Sequence, residues 1–185
     1  MIKTKNNGFT VVELVIVVVI IGIISTIGFV QYSSSQKRSR DAIRQSHVSK
    51  IVEALETYYV SNGRYPNYSM FPGPGRTGST IPNTAWFNSS NVSWDNLFNL
   101  LKPYIGDTKL VDPINTNTAW TAAGVNNYNY SYFSGGYCGV AVGQMYILVY
   151  RLESGKVINT LEGECLTNPL NLYGNNSSNY RVVRR

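Results

Sequence analysis

Residues 9–30, FTVVELVIVVVIIGIISTIGFV, set the organisation of the whole chain, and Glu13 is the one charged residue among them. As an α-helix, this segment would rise about 33 Å, enough to cross the hydrocarbon core of a bilayer. Because lipid offers the backbone no hydrogen-bond partners, a lone span must be helical. The sequence therefore predicts one transmembrane helix close to the N-terminus.

An ordinary secretory signal peptide has a shorter apolar region, about 7–15 residues, followed by a small-residue cleavage site. The run here is longer, and no A-x-A pattern follows it. A plain signal-anchor helix stays open on composition alone. Glu13 argues against it, because a carboxylate inside a transmembrane helix is costly. No Lys or Arg lies between Lys5 and Lys37, so we expect its partner to come from outside the chain or from a newly made N-terminus.

The order of residues around this segment is specific. In KNNGFTVVELVIVVVIIGIIS, residues 5–25, a short basic leader ends in Gly8 and is followed by Phe9, Thr10, Glu13 and the apolar run. This order resembles the prepilin signature of type IV pilins and type II secretion pseudopilins. The resemblance implies cleavage between Gly8 and Phe9 by a prepilin peptidase, and N-methylation of the new Phe9 amine. It also assigns Glu13 and Thr10 to assembly, with Glu13 pairing with the N-terminal amine of a neighbouring subunit.

The helix is expected to continue beyond the membrane, over about residues 10–60. Apolar residues recur at helical spacing between Val48 and Tyr59, and Asn62-Gly63 followed by Pro66 supplies a stop. A helix of this kind, half in lipid and half packed on a domain, resembles the pilin architecture. The predicted organisation is a leader (1–8), a transmembrane and polymerisation helix (9–30), an amphipathic helix (31–60) and an extracytoplasmic α+β pilin head (61–185).

The second part of the chain reads as one short helix and several strands. Residues 93–104 predict a helix capped by Ser93, and residues 128–133 predict a half-buried strand. A longer strand over 139–152, a turn and a strand over 157–161 predict a hairpin. The polar tail is expected to be loosely ordered. The predicted fold class is α+β, with the long N-terminal helix packed on a small antiparallel β-sheet.

Two cysteines are present, Cys138 and Cys165. In an exported chain such a pair predicts one disulfide, whereas in a cytosolic protein it would indicate two separate thiols. The predicted hairpin brings the two positions together, so we expect a disulfide between them. Two buried free thiols are the alternative.

No catalytic or metal-binding constellation emerges from the sequence, so we expect no enzyme activity and no cofactor. His47 is the only histidine. Asp107, Asp112 and Asn115, in DTKLVDPINTN, raise a calcium hypothesis, and the Asp-Pro within it resembles a turn at which some pseudopilins bind calcium. The EF-hand spacing is absent, which favours a plain turn.

The basic balance of the chain, with a net charge of +6, raises a nucleic-acid hypothesis. Some pili of this family serve DNA uptake, and the 14 tyrosines could stack on bases. Tyrosine in a sheet is more usually core or subunit interface, so DNA stays a secondary hypothesis. The charge is partly explained by the flanks of the apolar run: Lys3, Lys5, then Lys37, Arg38, Arg40 and Arg44. More Lys and Arg residues follow the apolar run than precede it. By the positive-inside rule alone, the part of the chain after the run would therefore stay in the cytoplasm.

The resemblance implies a structural subunit of a type IV pilus, used for motility, adhesion or DNA uptake. Its expected partners are copies of itself or other pilins, the prepilin peptidase, an assembly ATPase with its platform protein, and membrane lipid. The expected localisation is a single-pass precursor in the cytoplasmic membrane, then a cell-surface pilus. A pseudopilin of a type II secretion or competence pseudopilus is the alternative. A membrane-anchored enzyme or receptor would need a catalytic constellation in residues 61–185, and the sequence offers none.

Overall fold

A computed structural model describes seven stretches of the chain. These are residues 8–71, 86–90, 92–116, 128–136, 139–156, 160–162 and 179–184. The chain divides into two compact units, residues 1–39 and residues 40–185. Helix α1, Val11–Asn62, contributes residues to both units.

Helix α1 confirms the long helix predicted from the sequence, and its end has a clear chemical cause. Gly63 follows the last helical residue with a positive φ of 68°, a conformation that glycine adopts at little cost. Its N–H donates to the carbonyl of Tyr59 at 2.7 Å, which satisfies one of the carbonyls left open at a helix end. The Asn62 side chain donates to the carbonyl of Tyr58 at 2.9 Å. Pro66 then lies beyond the end of the helix, as predicted.

In the second unit, α1 buries one face against the sheet and the second helix. The buried apolar residues follow helical spacing: Val48, Ile51, Ala54, Leu55 and Tyr58. The predicted amphipathic character of this part of the helix is therefore present in the structure.

The sheet has five strands in the order β1-β2-β3-β5-β4. They are β1 (Trp86–Asn88), β2 (Ser131–Phe133), β3 (Met145–Tyr150), β4 (Thr160–Glu162) and β5 (Asn179–Arg184). The pairs β1-β2, β2-β3 and β3-β5 are antiparallel. Strand β4 pairs in parallel with the other edge of β5. The α+β class and the antiparallel sheet are confirmed, with one parallel edge strand in addition.

The predicted hairpin is wrong. Strand β3 pairs with β5 over six positions, from Met145 opposite Arg184 to Tyr150 opposite Asn179, and β4 does not pair with β3. The tail predicted to be loosely ordered therefore supplies an interior strand. All six residues of β3 are buried, so both edges and both faces of this strand are covered within the domain. The turn at residues 153–154 is present, but a turn alone cannot decide which strand becomes the neighbour.

Two smaller predictions need correction. Strand β2 covers only residues 131–133, and its residues are all buried rather than alternately buried. Helix α2, Val92–Ile105, begins before Ser93, so Ser93 is not its N-cap. The hydroxyl of Ser93 instead accepts the N–H of Asn88 at 2.9 Å, which joins α2 to β1. The predicted apolar face of α2 is buried: Trp94, Leu97, Phe98 and Leu101.

Candidate processing and assembly site

Three reciprocal hydrogen bonds between Thr10 and Glu13 close the first turn of α1. The hydroxyl of Thr10 accepts the N–H of Glu13 at 3.2 Å. The Glu13 carboxylate accepts the Thr10 N–H at 2.9 Å and the Thr10 hydroxyl at 2.7 Å. Since α1 begins at Val11, Thr10 is the N-cap and Glu13 is the third helical residue. This arrangement is a capping box, which satisfies two backbone donors that a helix start leaves open.

Glu13 therefore has hydrogen-bond donors within its own chain. The charged partner expected from outside the chain or from a newly made N-terminus stays a prediction. The charge of Glu13, with no Lys or Arg between Lys5 and Lys37, does not by itself indicate the contact with Thr10. The signal that could have found the contact is the spacing T-x-x-E in TVVE, residues 10–13. A carboxylate in the first turn also interacts favourably with the helix dipole.

Gly8 and Phe9 precede the capping box and are both exposed, Phe9 with 77% of its surface accessible. No atom lies within 4 Å of the position that a Cβ on Gly8 would occupy. The peptide bond between them is thus open to an approaching enzyme.

The apolar part of α1 that follows is exposed to solvent along its length. Leu14, Ile16 and Ile24, for example, are each more than half exposed. By length and composition the helix is suited to crossing a membrane. Its two hydroxyl residues bond to their own helix: Ser25 donates to the carbonyl of Ile21, and Thr26 to that of Ile23, both at 2.7 Å. Polar groups satisfied in this way are compatible with lipid.

In the second unit, a buried guanidinium joins α1 to two loops. Arg44 is fully buried and donates to both carboxylate oxygens of Asp112, at 2.7 and 3.0 Å. It also donates to Asp41 at 2.8 Å and to Glu153 at 2.7 Å. Arg40 forms a second two-point contact with Glu153, at 2.7 and 2.6 Å. We call these five residues the Arg44 network.

Backbone groups complete the network. Asp41 accepts the N–H groups of Glu153 and Ser154, at 2.8 and 2.9 Å, and so holds the turn that follows β3. The ring of Tyr128 stacks on the guanidinium of Arg44, with 4.8 Å between the guanidinium carbon and the ring centroid. This set of contacts satisfies every charged group that it buries, which is the condition for tolerating buried charges.

Ionisation of the network follows from these contacts. Burial alone would lower the pKa of Arg44, but the hydrogen bonds to Asp112 and Glu153 raise it overall, so the guanidinium stays charged. Burial would raise the pKa of Asp41, but the N–H donors of Glu153 and Ser154 outweigh burial and lower it. The hydrogen bond from Arg40 lowers the pKa of Glu153.

Asp112 is one of the residues for which the sequence raises a calcium-binding hypothesis. Its carboxylate is engaged by Arg44 and also accepts the N–H groups of Ile114, at 2.8 Å, and Asn115, at 3.3 Å. The turn prediction is thus matched by a local hydrogen-bonded turn. Within the described part of the chain, no group of three or more His, Cys, Asp or Glu side chains is suited to a metal ion. Calcium binding stays a prediction, and an ion there would have to displace the guanidinium.

The chain matches a family model described as the prokaryotic N-terminal methylation motif, over residues 3–29. The type IV major pilin protein PilA of Myxococcus xanthus is 31% identical over 65 residues, which are 35% of this chain and 30% of that protein. The N-terminal region is similar to that of the pilin and pseudopilin family. The type II secretion system core protein G of Pseudomonas aeruginosa is 30% identical over 65 residues, 35% of this chain and 46% of that protein.

The match to this family covers the N-terminal third of the chain and less than half of either relative. No solved structure matches the chain significantly. Members of the pilin and pseudopilin family are structural subunits rather than enzymes. The methylation motif includes Gly8, Phe9, Thr10 and Glu13, the residues that the sequence singled out for processing and assembly.

Other candidate residues of this pilin-like chain lie elsewhere. Cys138 and Cys165 both lie outside the described residues, and the hairpin that was to bring them together does not form. The disulfide stays a prediction. His47 packs between Val111 and Tyr130, with Nδ1 3.1 Å from the Val111 carbonyl. Among the described residues, six tyrosines are buried, which removes them from any stacking surface for DNA: Tyr58, Tyr65, Tyr130, Tyr132, Tyr146 and Tyr150.

Proposed function

We propose that this chain is a structural subunit of a type IV pilus, made as a membrane-anchored precursor and polymerised into an extracellular filament. The observation that carries the proposal is the exposed apolar part of α1 with a capping box at its start. Nothing in the described chain covers this apolar surface, with Val11, Leu14 and Val18 all more than half exposed. An apolar surface of this extent needs lipid or other protein around it. Before assembly, the lipid of a bilayer would cover this surface. After assembly, the helices of neighbouring subunits would cover it.

Processing follows the same arrangement. Cleavage between Gly8 and Phe9 would remove the basic leader and create a new ammonium group one residue before the capping box. N-methylation of Phe9 would keep this amine basic and therefore charged. The new positive charge would lie beside the Glu13 carboxylate that the capping box already holds at the helix start.

Assembly would use the charge of Glu13. Hydrogen bonds from Thr10 satisfy part of the carboxylate, but its net charge still disfavours an apolar environment. The terminal amine of a neighbouring subunit would neutralise it, because an ion pair is tolerated where a lone charge is not. A wrong axial offset would leave both charges unpaired, so the pair would also set the register between subunits.

The machinery implied by this function consists of a prepilin peptidase, an assembly ATPase and its platform protein. The precursor would reside in the cytoplasmic membrane with its leader in the cytoplasm and its head outside. We infer the head's position from the family, against the excess of basic residues downstream of the apolar run.

A pseudopilus subunit of type II secretion or competence is the second candidate. The relative that favours it, protein G, matches this chain over the same length as the pilin does. The two functions share the N-terminal chemistry and differ in the length of the filament. Long filaments sheared from cells would identify a pilin, and material that stays with the cell envelope would identify a pseudopilin.

Intact mass and N-terminal peptide mass, measured on sheared surface filaments, test the proposal. A chain that begins at methylated Phe9 is the expected result. A Gly8→Leu variant should retain its leader and stay in the membrane, because a bulky residue replaces the small one at the cleavage site. An Asn6→Ala variant serves as the matched control in the same leader and should be processed normally. A wild-type chain that begins at Met1 and occurs only in membranes would contradict processing and polymerisation together.

A further inference from the structure

Two cations follow the apolar segment on α1 and are not used by the fold. Lys37 and Arg38 are both exposed. Neither forms an ion pair with any carboxylate that the structure describes. Arg40 and Arg44, the next basic residues along the chain, are both committed to carboxylates of the second unit. Of the basic group that follows the apolar run, Lys37 and Arg38 are therefore the members free to bind something else.

Lys37 and Arg38 lie close enough to the apolar segment for their long side chains to reach back to the lipid headgroup layer. Lys37 lies seven positions after Val30, the last residue of the apolar run, which is a rise of about 10 Å along the helix. Each headgroup layer of a bilayer is about 5–7 Å thick. Helical side chains lean toward the N-terminus, and long basic side chains snorkel toward the interface. This side-chain direction places the charged groups of Lys37 and Arg38 at the level of the lipid phosphates.

Tyr32 lies between the apolar run and the two cations. Its side chain is 65% exposed, and it follows Val30 by two residues. Tyrosine is enriched at membrane interfaces because its ring is apolar and its hydroxyl is polar. The residues between Tyr32 and Lys37 are Ser33, Ser34, Ser35 and Gln36, which carry no charge. Along the helix, the apolar segment is followed by an aromatic ring, then by a neutral polar spacer and then by the two cations. This order follows the change in polarity across one leaflet of a bilayer.

We propose that Tyr32, Lys37 and Arg38 form a headgroup anchor that binds the phosphates of anionic phospholipids on the head's side of the membrane. The anchor holds the precursor at a fixed depth, and its contacts must break when the subunit leaves the bilayer. The inference rests on the proposed function only in requiring α1 to span a membrane. Each basic residue near an anionic surface strengthens binding by about fivefold. The attraction is short-ranged, since charges are screened over about 8 Å at physiological salt.

The lipid selectivity of the full chain in vesicles tests the anchor. The full chain is reconstituted in phosphatidylcholine vesicles with a trace of spin-labelled phosphatidylglycerol or spin-labelled phosphatidylcholine. Electron paramagnetic resonance then gives the association of each lipid with the protein. We expect a several-fold preference for phosphatidylglycerol, reduced several-fold in the double variant Lys37→Gln/Arg38→Gln and weakened by salt.

A charge-matched control isolates the two positions. Lys50→Gln/Arg64→Gln removes two exposed basic residues of the second unit and should leave the selectivity unchanged. Lys3 and Lys5 are present in all three proteins, so any selectivity that they add cancels in the comparison. The difference between the two double variants is therefore the measure of the anchor.

The outcomes separate the anchor from the proposed function. Equal selectivity in the wild type and the Lys37→Gln/Arg38→Gln variant, with both inserted, would overturn the anchor and leave the pilin proposal intact. Unchanged selectivity with reduced cross-linking between copies of the variant would place a second copy at these residues and overturn the anchor as well. A wild-type chain that fails to insert into vesicles would overturn both.

Discussion

Among single residues, Glu13 has one observed task and one proposed task, which depend on different properties of its side chain. As part of the capping box it needs oxygen atoms that accept hydrogen bonds from Thr10. In the proposed assembly role it would need a negative charge. A substitution that keeps the acceptor and removes the charge separates the two tasks.

Glu13→Gln should therefore insert into the membrane normally and fail to form filaments. The glutamine amide still carries an oxygen that can accept the Thr10 N–H, so the start of α1 should be retained. Without the charge, the terminal amine of a neighbouring subunit has no counter-ion. The amounts of the subunit in sheared filaments and in membranes, compared by immunoblot, measure the effect. Glu53→Gln, on an exposed position of the same helix, is the control. Normal filaments of Glu13→Gln would contradict the role of the charge.

Arg44 is the residue whose loss should cost the second unit most. Its removal leaves Asp41, Asp112 and Glu153 close together without the guanidinium that lies between them. Breaking a buried ion pair from one side costs about 3–5 kcal/mol. We expect Arg44→Ala to lower the free energy of unfolding by about that amount in urea titrations of the full chain in detergent.

Two further variants define what Arg44 contributes. Arg44→Lys should recover only part of the loss, because an ammonium keeps the charge but cannot donate in the fork geometry that Asp112 receives. Lys50→Ala removes an exposed cation from the same helix and should change stability by less than about 0.5 kcal/mol. Equal stability of Arg44→Ala and Lys50→Ala would show that the network is not a source of stability.

Among the elements, the end of α1 meets the start of β3 at a crowded turn. Gly143 has a φ of 85°, and its carbonyl accepts the Tyr65 N–H at 2.7 Å. A Cβ at this position would lie 3.1 Å from the Cβ of Arg64 and 3.3 Å from the Tyr65 carbonyl oxygen. The chain that leaves α1 is thus held against the turn by close backbone contact.

Gly143→Ala should destabilise the protein more than Gly155→Ala. Both glycines have positive φ, so both alanines carry the conformational penalty of about 1 kcal/mol. Only the Cβ at position 143 also meets neighbouring atoms, since none lies within 4 Å at position 155. The difference between the midpoints of thermal unfolding of the two variants measures the crowding. A larger loss for Gly155→Ala would contradict it.

Strand β5 is the element on which the outer half of the sheet depends. It lies between β3 and β4 and pairs with both. A chain that ends before Asn179 should therefore leave an edge of β3 unpaired and remove the only described partner of β4. We expect rapid degradation by added protease and loss of cooperative unfolding. A chain that lacks only Arg185, the residue after β5, should behave like the wild type. A truncated chain with wild-type protease resistance would refute an interior role for β5.

For the molecule as a whole, stability should fall in acid through the Arg44 network. The pKa values of Asp41 and Glu153 both lie below their ordinary values, so the unfolded chain takes up protons at higher pH than the folded chain. The stabilisation is complete above the ordinary carboxyl pKa values, about 4, and is lost as pH falls through the lower values of the folded state. The charged groups that face these two carboxylates are Arg40, Arg44 and Asp112.

The unfolding midpoint of the full chain in detergent, measured between about pH 6 and about pH 3, checks this dependence. The wild type should lose stability over the acid part of this range. The double variant Asp41→Asn/Glu153→Gln should be less stable at neutral pH and should depend less on pH in acid. The same acid slope in both proteins would place the pH dependence elsewhere in the chain.

The bounds of the helices could be predicted from the sequence because they depend on neighbours along the chain. The apolar run, the stop at Gly63 and the buried face of α2 each follow from local spacing, and the structure confirms them. The capping box was within reach of the same reasoning, since its two residues are three positions apart. The spacing T-x-x-E indicates it, whereas the charge of Glu13 by itself does not.

Strand order and the Arg44 network were decided by the tertiary structure. Asp112 lies 68 residues after Arg44, and Glu153 lies 109 residues after it, so no local pattern joins them. Likewise, the polar sequence of β5 does not indicate an interior strand, and its place follows from β3, whose buried residues need a partner on each edge. Local hydrogen bonds and periodicity determine where helices start and stop. Contacts between distant segments form only when burial of the whole domain brings them together, because the free energy that orders them comes from burial shared across the fold.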